Sequence, residues 1–259
     1  MNLIIYVLLF IIAFILAMFG KGGGEFYVPI FLSFSIPFQK AATTSLFILM
    51  VSGLSMMTVF HRKALLDWKL GFLTIGAAGI GSFIGGFISS SIPSLYLKMV
   101  FGLLLFISAY LVANPIKEFH KMELGPRIKQ NCCSESYEIP ILVFPLIFVI
   151  GFVAGMVGIS GGGLIVPLLV ILGGVPLRIA FATNSVMVLF SSTLGFLGHG
   201  LKTGVDWNFV LPAALSVALG AILGAHFSTL VDIRKLRRAF IFILLFAGIW
   251  MIIKAFESF

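Results

Sequence analysis

Gly20-Lys21-Gly22-Gly23-Gly24-Glu25-Phe26-Tyr27-Val28-Pro29 and Gly158-Ile159-Ser160-Gly161-Gly162-Gly163-Leu164-Ile165-Val166-Pro167 are two versions of one phrase, 138 residues apart. Three further landmarks follow each copy in the same order. They are Ala42-Thr43-Thr44-Ser45 and Ala182-Thr183-Asn184-Ser185, Asp67-Trp68 and Asp206-Trp207, and Gly81-x-x-x-Gly85 and Gly220-x-x-x-Gly224. Shared landmarks at a near-constant offset mark a duplicated unit, residues 1–116 and 140–259, joined by a polar linker at 117–139.

The solvent of this unit is lipid. Of the 259 residues 60% are hydrophobic and 10% charged, and the mean hydropathy is +1.18. Soluble domains carry about 25% charged residues. The start Met1-Asn2-Leu3 has no basic region before its apolar run, so it is expected to be a retained membrane segment rather than a cleaved signal. The net charge of +8 sits mostly in loops, where it reports orientation and not nucleic-acid binding. The two cysteines, Cys132 and Cys133, lie together in the linker and are expected to be ordinary reduced thiols. No metal-ligand cluster or nucleotide loop is present, so no metal and no cofactor are expected.

Each half reads as five apolar segments, near 2–19, 26–38, 41–60, 70–91 and 97–116, then 140–157, 164–176, 179–199, 208–231 and 238–256. Eight approach the length of about 20 residues that a spanning helix needs. The second of each half is shorter, follows the glycine run and ends near Pro37 or Pro176, so segments one and two form a broken or re-entrant hairpin with glycine at its tip. Such a hairpin returns the chain to its starting face, which gives each half an odd number of net crossings. The halves are then inverted relative to each other. On that arrangement Lys21, Arg62, Lys63, Lys69, Lys117, Lys121, Arg127, Lys129, Arg178, Arg234, Lys235, Arg237 and Arg238 share one face. Only Lys40, Lys98, Lys202 and Lys254 fall on the other. The bias puts the first face in the cytoplasm and both termini outside. The expected fold is all-α: a polytopic membrane protein of two inverted repeats, with eight long helices and two short ones.

Duplication in such a chain points to a transporter, with its site where broken helices meet. Gly22, Gly23 and Gly24, with Gly161, Gly162 and Gly163, allow close backbone approach, and the short helices after them expose N-terminal amides carrying partial positive charge. Together they would make an anion site near the midplane. Thr43, Thr44, Ser45, Thr183, Asn184 and Ser185 open the third segment of each half. They would either donate hydrogen bonds to the anion or bond back to the helices. Lys21 and Glu25 stand four apart at the first tip, opposite Ile159 and Gly163 of the second copy, and His226 lies in the ninth segment. These three are the candidates for charge or proton coupling. His61 and His199 read as interfacial anchors. The Gly-x-x-x-Gly pairs read as close-packing faces, within the bundle or in a homodimer.

Two other classes were weighed. An anion channel shares the same site logic. A serine protease within the membrane would use Ser160 with His199 or His226, but the repeat counterpart of Ser160 is Gly22, so a duplicated backbone feature explains both copies better.

The paired glycine motifs ending in Val-Pro, the Ala-Thr-Thr-Ser and Ala-Thr-Asn-Ser segments and the Asp-Trp pairs resemble the TauE/SafE sulfite exporter family of membrane permeases. The resemblance spans nearly the whole chain outside the linker. It implies a permease of the bacterial inner membrane that moves sulfite, sulfonates or related sulfur anions, usually outward. Lys21 and Glu25 depart from the family pattern, at a place where they could alter substrate choice or add proton coupling. Alternating access by one half rocking against the other is the expected mechanism.

Overall fold

The computed structural model describes residues 3–113, 125–200, 204–228, 230–231 and 233–256. Lys117, Lys121 and Lys202, counted above, lie outside them. The first half holds α1 (Leu3–Ala17), α2 (Gly24–Ser33), α3 (Phe38–Arg62), α4 (Trp68–Ser89) and α5 (Ser94–Ala113). The second holds α6 (Val143–Val157), α7 (Gly162–Gly173), α8 (Leu177–Gly200), α9 (Trp207–Phe227) and α10 (Ile233–Phe256).

Among the described residues four helices, α3, α4, α8 and α9, are long and apolar enough to cross a membrane, fewer than the eight expected. The shortfall is clearest at α1 and α6. Each has 15 residues, about 22 Å at 1.5 Å per residue, against a hydrocarbon core of about 30 Å. Both stop for the same local reason. Gly20 (φ 65°) and Gly158 (φ 83°) take the left-handed conformation, and the residue after each donates its amide five residues back, Lys21 to Leu16 and Ile159 to Ala154. This is the Schellman ending that glycine permits at least cost. The short helices α2 and α7 start a few residues later. Pro29 and Pro167 inside them have no N–H to give to the carbonyls of Glu25 and Gly163.

The halves do not lie side by side. α4 packs on α6 and α8, α9 packs on α1 and α3, α3 on α8, and α5 on α10. The glycine pairs set the closest of these crossings. A Cβ added to Gly81 or Gly85 would stand 2.4 or 1.9 Å from the carbonyl oxygen of Phe148 or Phe152 on α6. One added to Gly220 or Gly224 would stand 2.4 or 2.0 Å from that of Phe10 or Phe14 on α1. Only backbone against backbone fits there. At the same two crossings Ser89 donates its hydroxyl to the Met156 carbonyl and Ser228 to that of Met18, each at 2.7 Å.

The linker corrects the all-α expectation. It carries an antiparallel hairpin, β1 (Arg127–Cys132) and β2 (Glu135–Pro140), with Gln130 opposite Tyr137 and Ile128 opposite Ile139. The turn is made by Cys133 and Ser134, both at positive φ (57° and 67°) without a glycine, so the usual Asn-Gly signal of a hairpin is missing. One face of the hairpin is pressed into the helical body. Ile139 is fully buried, Tyr137 nearly so, and the Tyr137 hydroxyl donates to Asp67 Oδ2 in the loop between α3 and α4. Cys132 Sγ donates to the neighbouring Leu66 carbonyl at 3.6 Å. Burial, then its contact with Cys133, pushes the Cys132 thiol up to about 12, which keeps it protonated for that bond.

Candidate functional site

Each glycine elbow is seated on the third helix of the opposite half. A Cβ on Gly20 would lie 1.9 Å from the Phe181 carbonyl oxygen of α8, and one on Gly158 would lie 2.6 Å from Ala42 Cα of α3. Side chains of the polar triplets fasten these seats. Asn184 Nδ2 donates to the Gly20 carbonyl at 2.7 Å, and Ser45 Oγ donates to the Gly158 carbonyl at 2.8 Å. The remaining triplet residues divide between the two roles weighed above. Thr43 bonds back to Gln39 and Ser185 to Ala182 within their own helices. Thr183 Oγ1 accepts from the Asp67 amide at 3.2 Å. Thr44 lines a cavity of about 480 Å³ beside Lys40 and Asp206.

The tips themselves are held by hydroxyls that the sequence reading passed over. Ser52 on α3 donates to the Gly22 carbonyl at 3.1 Å and Ser191 on α8 to that of Ser160 at 3.4 Å. Ser52 and Ser191 are 139 residues apart, so the repeat offset alone could have found them. Tyr27, fully buried under the first tip, also donates to the Gly22 carbonyl, at 2.5 Å. The amides of Phe26 and Leu164 turn back to the carbonyls of Gly23 and Gly161 at 3.0 Å, so the donors left at the tips are the amides at the very start of α2 and α7, which helix geometry leaves without intrahelical acceptors.

The two tips meet. A Cβ on Gly163 would stand 3.1 Å from Ser108 Oγ of α5, 3.2 Å from Glu25 Oε1 and 3.5 Å from Lys21 Nζ. A Cβ on Gly162 would stand 2.5 Å from Asn184 Nδ2. Lys21 and Glu25 are both buried, with Nζ 3.8 Å from Oε1. Glu25 Oε2 and Asn184 Oδ1 have no hydrogen-bond partner among the described residues. A buried charge pair with one oxygen unsatisfied is costly in a membrane interior, and such groups mark functional positions there. Gly22, Gly23 and Gly24 pack instead against Ser52, Tyr27 and Leu49. Gly161 packs on Ala154 and Ile150.

The histidines are elsewhere. His226 is exposed in the last turn of α9, and its backbone carbonyl accepts from Lys63 at 2.6 Å. His61 is an exposed edge-on partner of Trp68, as an interfacial anchor would be. His199, at the end of α8, is not exposed. It is buried, with Nε2 2.9 Å from the Gly155 carbonyl, and Gly86 leaves room for its ring, since a Cβ there would lie 2.9 Å from His199 Cδ2. Ser160 is buried at the second tip, and its carbonyl rather than its hydroxyl makes the hydrogen bond found there.

The family model described as sulfite exporter TauE/SafE matches residues 5–251. The chain is 28% identical to the probable membrane transporter protein YunE of Bacillus subtilis, over the full length of both chains. It is 26% identical to the probable membrane transporter protein YdhB of the same organism, over 96% of this chain and 100% of the relative. It is 29% identical to the probable membrane transporter protein MJ0441 of Methanocaldococcus jannaschii, over 94% and 92%. No solved structure matches the chain significantly. The chain, an integral membrane transporter and not an enzyme, belongs to the sulfite exporter TauE/SafE family.

Proposed function

We propose that this transporter carries a small sulfur oxyanion, sulfite or an organosulfonate, through a site where the two glycine tips meet. The observation that carries the reading is the convergence of Lys21, Glu25, Gly163 and Ser108 within a few ångströms, beside the first turns of two short helices. An oxyanion there would take its hydrogen bonds from the first-turn amides and the Ser108 hydroxyl, and its charge partner would be Lys21. Glu25 competes with the substrate for the same ammonium. A proton on Glu25 frees Lys21 for the anion; loss of that proton restores the ion pair and expels the anion. This couples transport to a proton gradient with two side chains. The halves are inverted repeats on this reading, which the exchange of partners between α4–α6 and α9–α1 supports.

The moving parts differ from two rocking halves. Rocking would prise apart the α4–α6 and α1–α9 crossings, where backbone touches backbone. The pair α5–α10 has its main contacts with itself and with α2, α6 and α7. This pair would move against a framework of α1, α3, α4, α6, α8 and α9, to which the tips are fastened.

The test is flux of radiolabelled sulfite and taurine-like sulfonates in proteoliposomes, with a pH gradient imposed or collapsed. The parent protein should concentrate substrate against its gradient only while the pH gradient lasts, which a channel cannot do. Lys21→Met should abolish flux. Glu25→Gln should leave downhill flux but remove its response to the pH gradient. Replacing Gly162 or Gly23 with Val should stop flux in folded protein. Undiminished transport by all four variants would refute this site.

A further inference from the structure

We propose that the linker hairpin, β1–β2, is a plug seated in the second of two related vestibules, and that it must leave for the substrate to pass. The proposal rests on the transport reading above. The first vestibule is the cavity of about 480 Å³ that holds Lys40, Thr44 and Asp206. It opens where α2 meets α3 and where α8 meets α9. Lys40 and Asp206 are exposed there, and Thr44 at its floor is next to Ser45, which fastens the Gly158 elbow.

Stepping 139 residues along the chain from these three positions leads to Ile179, Thr183 and Asp67. They gather at the opposite end of the bundle, because α3 runs 25 residues from Phe38, beside Lys40, to Arg62, just before Asp67. That is about 37 Å of helix. The two sets share a backbone plan but not a surface. Ile179 and Asp67 are 2% and 4% exposed. Thr183 is fully buried and takes the Asp67 amide. The hairpin lies over this end of the bundle: Tyr137 bonds Asp67, Cys132 bonds Leu66, and Ile139 lies 3.3 Å from where a Cβ on Gly173 at the end of α7 would be. These three contacts are a hydroxyl–carboxylate bond, a weak thiol bond and a small apolar wedge. A lid so held can be released without disturbing the helices.

The plug also makes sense of the polar linker. A chain that has only to join two halves needs no strand pairing, and no buried tyrosine aimed at the opening between α3 and α4. With the hairpin seated, one end is open and the other shut, as alternating access requires of any single state.

The test uses the full chain with Cys132→Ser and Cys133→Ser, so that the only thiol is an introduced one. Maleimide should label the Lys40→Cys protein quickly and the Ile179→Cys protein at least tenfold more slowly. Adding Tyr137→Ala and Ile139→Ala should raise labelling at position 179 at least tenfold and leave position 40 unchanged. Labelling at 179 that is fast from the start, or still slow after the hairpin is weakened, would overturn the plug. A second arm measures gating. Gly173→Cys with Ile139→Cys should form a disulfide, since Ile139 Cγ1 and Cγ2 lie 3.3 and 3.7 Å from the Cβ position of residue 173 and a bridge needs Cβ atoms about 3.5–4.5 Å apart. Oxidation should then cut sulfite flux at least tenfold and reductant should restore it. Flux that ignores oxidation would overturn the gating role. If the parent moves no sulfite at all, the substrate reading fails while the labelling arm still decides whether the hairpin covers position 179.

Discussion

Replacing Gly162 with alanine should weaken the bond between Asn184 and Gly20 without touching either residue. The new Cβ would stand 2.5 Å from Asn184 Nδ2 and 2.8 Å from Oδ1, whereas ordinary contact begins at 3.4 Å. Asn184 must withdraw by about 0.9 Å, and a shift of that size along the bond takes Nδ2 from 2.7 Å to beyond hydrogen-bonding range of the Gly20 carbonyl. Interhelical hydrogen bonds in membranes are worth about 0.6–1.7 kcal/mol. Crowding adds about 1–3 kcal/mol. The helix itself gains about 1 kcal/mol from alanine, since Gly162 is the first residue of α7 and has helical backbone. The net loss is about 1–3 kcal/mol, or roughly 3–9 °C in Tm at about 3 °C per kcal/mol. In an Asn184→Ala background the obstacle is gone, and the same change should be neutral or stabilising by up to about 1 kcal/mol. The assay is a double-mutant cycle by thermal unfolding in detergent, alongside anion flux. A coupling of about 2 kcal/mol is expected. If the two changes add within about 0.5 kcal/mol, the second tip is not braced by Asn184 and the geometry argued for the site is wrong.

Three further outcomes follow from the packing. Gly85→Ala and Gly224→Ala push a methyl against carbonyls at 1.9 and 2.0 Å and should each cost about 3 kcal/mol or fail to fold, while Gly76→Ala, which meets nothing within 4 Å on the same α4, should be neutral or stabilising; equal Tm values for Gly85→Ala and Gly76→Ala would refute the backbone crossing. Lys21→Met alone leaves a buried carboxylate and should cost about 3–5 kcal/mol, whereas Lys21→Met with Glu25→Gln should recover most of it; a double variant no more stable than the single one would show the pair is not coupled. The Tyr137 hydroxyl, buried and bonded to Asp67, ionises well above its usual 10.0. Its contribution to hairpin docking is therefore complete below pH 10.0 and is lost as pH rises through the shifted value. The ratio of labelling at position 179 to that at position 40 should be flat from about pH 6 to 9 and rise only in stronger alkali, and a Tyr137→Phe protein should lack that rise.

The glycine phrase could be read so far because a stop signal and an orphan helix start are local properties. Gly20, Gly23, Gly158 and Gly161 each take the left-handed backbone that their position in the phrase suggests, and Gly81 and Gly85 meet another helix as small-residue faces should. The partners could not be read. That Asn184 and Ser45 reach the elbow of the other half, and not their own, depends on the interleaving of α3 and α8, which no window of sequence contains. The hairpin was missed because its turn uses Cys133 and Ser134 at positive φ, and because a polar linker offers no hydrophobic run to notice. His199 is buried rather than exposed because its room is made by Gly86, far away in the chain.

The bond from Asn184 to Gly20 spans 164 residues, and this bears on how the protein is made. At about 5–20 residues per second, some 8–33 s separate synthesis of the carbonyl from that of its donor. During that interval the first elbow sits in or beside the bilayer with its carbonyl unmet, and α1 has no α9 to lie against. The first half is therefore an unfinished surface that the insertion machinery must shelter until α8 arrives. Two halves made as separate chains in one cell would face each other on equal terms, each completing what the other lacks.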